Sequence, residues 1–145
     1  MLTGFFGVLS GRPYIEGRVI LPRLGLGAGV TFLIDTGADT SILNPADARE
    51  LGVDFGHLSN RSEAVGTAGV AVSYVEPASI VFTDPGRRIY VYQIDLDIAD
   101  PVAGVEGLPS LLGRDVVDRM RMVYEPAKGT LTMTPRSADI ALSLR

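Results

Sequence analysis

The segment Phe32-Leu33-Ile34-Asp35-Thr36-Gly37-Ala38-Asp39-Thr40 runs an apolar strand straight into a carboxylate, a hydroxyl and a glycine. A carboxylate at the end of a buried strand is expensive unless it is hydrogen-bonded or put to use. Gly37 lets the chain turn tightly and brings backbone amides toward Asp35. An Asp-Thr-Gly triplet standing alone most often marks a turn, so the flanking residues carry the weight. The chemistry open to such an acid is general acid–base work, and it is most effective in a pair. Two carboxylates in contact cannot both ionise, so they share one proton; one then serves as base and the other as acid. The pair titrates as a unit.

Three further segments fall in order around this one. Val65-Gly66-Thr67-Ala68-Gly69-Val70 is a glycine-rich run between strand-like stretches, Leu111-Leu112-Gly113-Arg114-Asp115 places two apolar residues and a glycine before a short helix, and Arg12-Pro13 opens a first hairpin. Together with Leu33–Leu43 these segments resemble the retropepsins, the retroviral-type aspartic proteases, over most of Arg12–Val123. The resemblance implies an aspartic endopeptidase that needs no metal or other cofactor and cleaves a peptide or protein substrate. Because the sequence holds one Asp-Thr-Gly, a second copy must supply the second acid, which implies a homodimer with the site on its twofold axis.

The same resemblance assigns roles. Asp35 is the expected catalytic carboxylate, Thr36 the residue that hydrogen-bonds across the axis, and Gly37 a backbone contact to substrate. Asp39 is expected to meet substrate backbone and to pair with Arg114, against the alternative of two unrelated surface charges. Gly113 and Arg114 support the site. Val65, Gly66, Thr67, Ala68 and Gly69 are expected to form the tip of a flap, although two glycines at this spacing also suit an ordinary hairpin turn. Leu33, Pro109 and Leu111 either line apolar substrate pockets or belong to the core. Ala38 replaces the hydroxyl residue typical of pepsin-type enzymes. Without that hydroxyl to stabilise the ionised pair, the dyad is expected to titrate higher and activity to extend nearer neutral pH. The rival from another class is a non-hydrolytic dimerisation or peptide-binding module on the same fold, since a fold does not guarantee its activity.

Positioning these residues falls to short β-rich segments punctuated by Gly and Pro. Strands are expected at Tyr14–Leu21, Val30–Ile34, Val70–Val75, Ser79–Thr83, Arg88–Leu96, Met122–Glu125 and Thr130–Thr134. Asp84-Pro85-Gly86 and Pro126-Ala127-Lys128-Gly129 read as hairpin turns. Asn44-Pro45 before Ala46–Leu51, with Gly52 after it, carries the cap, first-turn proline and stop of a helix; Asp115–Arg119 is a second candidate. The expected fold is therefore all-β, a retropepsin-like acid-protease barrel with one or two short helices, in a single domain over residues 1–145. Gly25-Leu26-Gly27-Ala28-Gly29 lacks phosphate-loop spacing and reads as a flexible hairpin loop within an insertion around Pro22–Gly29. Asp97–Gly107 reads as a second insertion. The apolar N-terminus (Leu2, Phe5, Phe6, Val8, Leu9) and the alternating Ile140, Leu142 and Leu144 either pack on their own domain or pair with a second copy. The dimer interface is expected from the tail Ser137–Arg145 or from the hairpin Met122–Thr134.

Composition narrows the classes. The 145 residues include 13 Lys+Arg against 17 Asp+Glu, a net charge of −4, which is the wrong sign for a general nucleic-acid binder. With no Cys and only His57, thiol chemistry, disulfides and histidine-rich metal sites are excluded within the chain. Asp95, Asp97 and Asp100 lack a calcium-loop pattern and read as a solvated strand end. Arg114, Arg119 and Arg121 read as a helix face, and His57 as an exposed loop residue. No stretch is apolar enough to span a bilayer, and no basic residue precedes Arg12 as a secretory leader would require, so the expectation is a cytoplasmic protein without a membrane partner.

Overall fold

The computed structural model describes residues 1–66, 69–101 and 107–144. β3 (Pro13–Leu21) and β4 (Leu26–Ile34) form the first hairpin, in register from Tyr14 opposite Leu33 to Leu21 opposite Leu26. A 3-10 turn at Pro22–Leu24 closes it, with Gly25 in the left-handed region at φ 67°. The expected loop at Gly25–Gly29 is therefore mostly strand. Gly27 and Gly29 sit in the ladder opposite Ile20 and Arg18, because cross-strand pairing outweighs the weak strand preference of glycine.

Four more strands close a barrel. β5 (Ile42–Leu43) and β9 (Ser110–Leu112) are short, whereas β7 (Gly69–Thr83) and β8 (Arg88–Ala99) are long. β4 runs parallel to β9, β9 pairs with β5, β5 runs parallel to β8, β8 pairs with β7, and β7 returns to β3. The ring of six strands leaves no open edge between its first and last members. Its interior is filled by alternate residues: Ile15, Val19 and Leu21 from β3, Val30 and Phe32 from β4, Ile80 and Phe82 from β7, Tyr92 and Leu96 from β8. Gly17 completes the inward series of β3; a Cβ there would lie 2.8 Å from the Phe82 ring, so the missing side chain is the space that ring occupies.

β7 joins what the sequence suggested were two strands. Between them lie Glu76, Pro77 and Ala78, and the charged residue and the proline are both accommodated. Pro77 lies in the gap along one edge of β7 between its pairing with β6 (Arg61–Gly66) and its pairing with β3, so the absent N–H costs no ladder bond there. Glu76 is buried and is held by Arg23, whose Nε and Nη2 donate to both carboxylate oxygens at 2.7–3.2 Å.

Outside the barrel, α1 (Pro45–Leu51) has the expected signals: Asn44 Oδ1 accepts from the Asp47 amide at 2.7 Å, and Gly52 ends the helix at φ 98°. α2 (Arg114–Val117) is shorter than Asp115–Arg119 and starts one residue earlier, because the chain must enter β10 (Met120–Glu125) with Met120 buried. β10 and β11 (Thr130–Pro135) form a hairpin around Gly129 at φ 64°. β1 (Leu2–Thr3) adds to the other side of β11, making a separate three-stranded sheet with β10 at one edge. β2 (Phe5–Phe6) pairs with β3.

Both termini are held by their own chain. β12 (Ile140–Ser143) pairs with β8 from Ile140 opposite Val91 to Ser143 opposite Arg88. Arg119 fixes the approach: it donates to Ser137 Oγ and Asp139 Oδ2, both at 3.0 Å, and its guanidinium lies 5.1 Å from the centre of the Tyr92 ring. Two of the three arginines expected as one helix face are thus employed separately, Arg119 here and Arg114 in the loop described below. At the other end the N-terminal ammonium lies 3.2 Å from Asp84 Oδ2, and Asp84 Oδ1 accepts the Arg88 amide at 2.9 Å. The Arg88 amide foremost, then the ammonium, holds the Asp84 carboxyl below the usual aspartate range. The fold thus binds the ionised form. This contribution is complete above about pH 4, the ordinary aspartate value, and is lost as pH falls through the lowered folded value. Asp84→Asn is expected to make the decline of Tm between about pH 4 and pH 2 shallower than in wild type, as followed by circular dichroism.

Candidate active site

Asp35 stands where β4 ends, and its loop is tied at every step. The Asp35 amide donates to Leu112 O at 3.0 Å, which continues the parallel β4–β9 ladder by one bond. The Gly37 amide donates to Asp35 Oδ1 at 2.9 Å and the Ala38 amide to Asp35 O at 3.2 Å. Among the described residues the other carboxylate oxygen has no hydrogen-bond partner, and the side chain is only half-buried. Gly37 is needed for room more than for an unusual φ: a Cβ there would lie 3.2 Å from Asp35 Oδ1.

The two signature segments are laced together. The Arg114 amide donates to Ala38 O at 2.8 Å, and the Arg114 guanidinium pairs with Asp39, as the resemblance implied. Gly113 passes so close to the loop that a Cβ would sit 2.5 Å from both the carbonyl carbon and the oxygen of Thr40. Leu33 and Leu111 lie side by side in the parallel ladder, and both are half-buried rather than part of the fully buried interior. Pro109 is half-buried just ahead of β9. Asp35, Thr36, Gly37, Ala38, Asp39, Leu33, Leu111, Gly113 and Arg114 therefore gather at one place.

The hairpin read as a flap is present as strands: Val65 faces Val70 and Gly66 faces Gly69 across β6 and β7. Thr67 and Ala68 lie outside the described residues. The strands pair with each other and not with the Asp35 loop.

Sequence reasoning missed a second tier of groups. Ser41 is fully buried; its hydroxyl donates to Asp115 Oδ1 at 2.7 Å and accepts the Gly113 amide at 3.0 Å, while its own amide donates to Asp115 Oδ2 at 2.9 Å. Asp115 thus anchors the Asp35 loop from the far side of Gly113. Thr40 Oγ1 donates to Asp97 Oδ2 at 2.7 Å, and Tyr74 OH donates to Asp100 Oδ2 at 3.0 Å, so these two acids serve separate hydrogen bonds. The Asp100 contact raises the Tyr74 hydroxyl pKa. The only sequence sign of the Ser41–Asp115 link is that each residue flanks a motif; their separation of 74 positions hides the rest. Ser41→Ala takes the hydroxyl from one oxygen of the half-buried Asp115 carboxylate and leaves the buried Gly113 amide without its acceptor. It is expected to cost about 1–3 kcal/mol in urea denaturation without altering the strand content.

A sequence model of the family described as gag-polyprotein putative aspartyl protease matches residues 26–119. The chain belongs to that family. Among solved structures it is similar to a retropepsin-like aspartic protease from Rickettsia conorii, with 20% identity over 90% of this chain and 87% of that one and a TM-score of 0.61. EIAV protease complexed with the inhibitor HBY-793 also matches, with 22% identity over 77% of this chain and 90% of that one and a TM-score of 0.49. Curated proteins give no match. The family and the Rickettsia structure make the fold retropepsin-like, as the sequence resemblance anticipated. No helix among the described residues is long and apolar enough to cross a membrane.

Proposed function

We propose that this family member is an active aspartic endopeptidase that works as a homodimer, with one Asp35 from each subunit forming the catalytic pair. The observation that carries the reading is the setting of Asp35: one carboxylate oxygen is anchored by the Gly37 amide and the other has no partner among the described residues, in a loop bolted to the second signature segment. Asp84, which follows the end of β7 and serves the fold alone, by contrast has both oxygens engaged.

In the proposed reaction a water lies between the two carboxyls, which share one proton. The ionised carboxyl takes a proton from the water as its oxygen bonds to the scissile carbonyl carbon. The protonated carboxyl gives its proton to the carbonyl oxygen. The tetrahedral diol then collapses: one of its hydroxyls gives a proton to the ionised carboxyl, the C–N bond breaks, and the leaving nitrogen takes up the proton of the other carboxyl, so that the pair again holds one proton. Thr36 holds the two loops together across the axis, Gly37 and Asp39 meet substrate backbone, and Arg114 keeps Asp39 in place. Leu33, Pro109 and Leu111 offer apolar walls, and the β6–β7 hairpin closes over an extended peptide, adding strand-like hydrogen bonds. Ala38 supplies no hydroxyl, so the pair is expected to stay singly protonated nearer neutral pH than in pepsin-type enzymes.

The test is cleavage of a peptide library between about pH 4 and 7 by wild type and by Asp35→Asn. Cleavage by wild type alone supports the proposal. Equal cleavage by both, or none by a demonstrably dimeric wild type, favours the binding-module alternative.

A further inference from the structure

If the β6–β7 hairpin closes over substrate, something at its base must set the angle at which it stands. Resting on the protease reading, we propose that Arg23 is a positioning residue for the reaction. Its guanidinium, by gripping both Glu76 and the His57 carbonyl, fixes the pose of the hairpin from below.

β7 serves the barrel at one end and the hairpin at the other. It pairs with β8 from Thr83 to Ser73, which faces Ala99, and the Asp100 amide adds a bond to Val72 O at 3.0 Å. Beyond that level the described residues of β6 and β7 pair only with each other. Along its other edge β7 pairs with β6 as far as Tyr74 and with β3 only from Ser79. The Val75 amide, bonded to Asn60 O at 2.9 Å, extends the first of these ladders by one bond. Barrel therefore passes into hairpin at Glu76–Ala78, where Pro77 has no N–H to give. Strand pairing holds this junction from the β8 side alone.

Side chains hold the other side. Glu76 continues the inward series of Ala78, Ile80 and Phe82, is 2% exposed, and lies opposite the fully buried Leu96. Arg23 Nε donates to Glu76 Oε2 at 2.9 Å, and Nη2 donates to Oε1 at 2.7 Å and to His57 O at 3.0 Å. One guanidinium thus joins three segments: the turn between β3 and β4, the 3-10 turn at Phe55–His57 that precedes β6, and β7 at the junction. Its planar fork fixes direction as well as distance. The Phe55 ring, 6.4 Å from that of Tyr74, and the Tyr74–Asp100 bond brace the same level.

Stability alone accounts poorly for this clamp. Taking a carboxylate out of water is costly, and replacing a buried ion pair by apolar side chains is often neutral or stabilising. Apolar side chains cannot supply directed bonds to two separate segments. From Glu76 to Gly69 the strand runs roughly 20–25 Å, so a small change of angle at the base becomes a large displacement at the far end. A hairpin that holds the closing pose for a fraction of the time binds substrate more weakly by that fraction. The cost falls on KM rather than on kcat.

The test replaces the pair with apolar residues, Arg23→Met with Glu76→Leu, so that no charge is left buried. Tm is expected to stay at or above the wild-type value. KM for a peptide substrate is expected to rise about fivefold or more, with kcat held within about twofold. Hydrogen exchange at the amides of β6 and of Gly69–Val72 is expected to quicken while that of β3 and β4 is unchanged. Arg23→Lys keeps the charge but loses the fork, and is expected to move KM and hairpin exchange in the same direction by less; it carries the test if the double variant does not fold. Wild-type KM and wild-type hairpin exchange in the folded variant overturn the clamp, and leave the protease reading standing where wild type shows Asp35-dependent cleavage. A wild type that cleaves nothing overturns the protease reading, and hairpin exchange alone then decides the clamp: quickened exchange upholds it and unchanged exchange overturns it.

Discussion

Asp35→Asn is expected to lower kcat/KM for peptide hydrolysis by roughly 10³-fold or more, the scale of a lost general acid–base pair, while the fold survives. The side chain is half-buried and, among the described residues, makes one hydrogen bond, from the Gly37 amide to Oδ1. The asparagine carbonyl can accept that bond, so the loop loses no anchor. On the proposed mechanism, what disappears is the proton shared by the pair. The stronger form of the test is a mixing experiment. Equal amounts of wild-type and Asp35→Asn chains, unfolded and refolded together, associate at random in a ratio of about 1:2:1 when every subunit pair is equally stable. If both acids are required, about one quarter of the wild-type activity per total chain remains. If each subunit works alone, about one half remains. The difference is readable with one fluorogenic peptide, and far-ultraviolet circular dichroism of the variant checks the fold.

The position of Asp35 was legible in the sequence because the signals agree at short range. Phe32 and Ile34 point into the barrel, Leu33 points away, and the strand stops at the acid. Helix α1 was equally legible, since Asn44, Pro45 and Gly52 each act on their immediate neighbours. β5 and β9 were not, at two and three residues, because their existence depends on partners far along the chain: β4 and β8 are parallel neighbours. The strand across Gly27 and Gly29 was hidden for the same reason; its stability comes from β3 and not from its own residues. The continuity of β7 from Val75 to Ser79 was hidden because Pro77 is a poor strand residue in general, and only the gap in the neighbouring ladder accommodates it.

The site divides along the same line. Asp35 and its neighbouring glycines lie in contiguous motifs, whereas Ser41 and Asp115, which bind those motifs together, meet only in the folded chain. Half-burying the Asp115 carboxylate beside the Asp35 loop is tolerable because the Ser41 amide and hydroxyl both donate to it. The arrangement divides the labour between two acids: Asp115 holds the loop with both oxygens, and Asp35 keeps one free.

Gly113→Val is expected to be the most disruptive single substitution outside Asp35, for a steric reason. The position has no need of an unusual φ; at −91° the backbone there suits any residue. The obstacle is the Thr40–Ser41 peptide, whose atoms would lie 2.5–2.9 Å from an added Cβ. These are backbone atoms of the Asp35 loop, held by the Ser41–Asp115 bonds and by the Thr40–Asp97 bond, so they cannot swing aside as a surface side chain would. Relief requires parting the two signature segments, which also breaks the bonds from Gly113 N to Ser41 Oγ and from Arg114 N to Ala38 O. Overpacking of this kind costs about 3 kcal/mol or more, with the broken hydrogen bonds in addition. Gly113→Ala meets the same contacts with a smaller side chain and is expected to retain the fold at reduced stability. Activity should fall further than stability in Gly113→Ala, because the displacement is delivered directly to the residues flanking Asp35. Urea denaturation and kcat/KM measured on the same preparation separate the two effects, and an alanine variant with wild-type stability and activity would contradict the close approach.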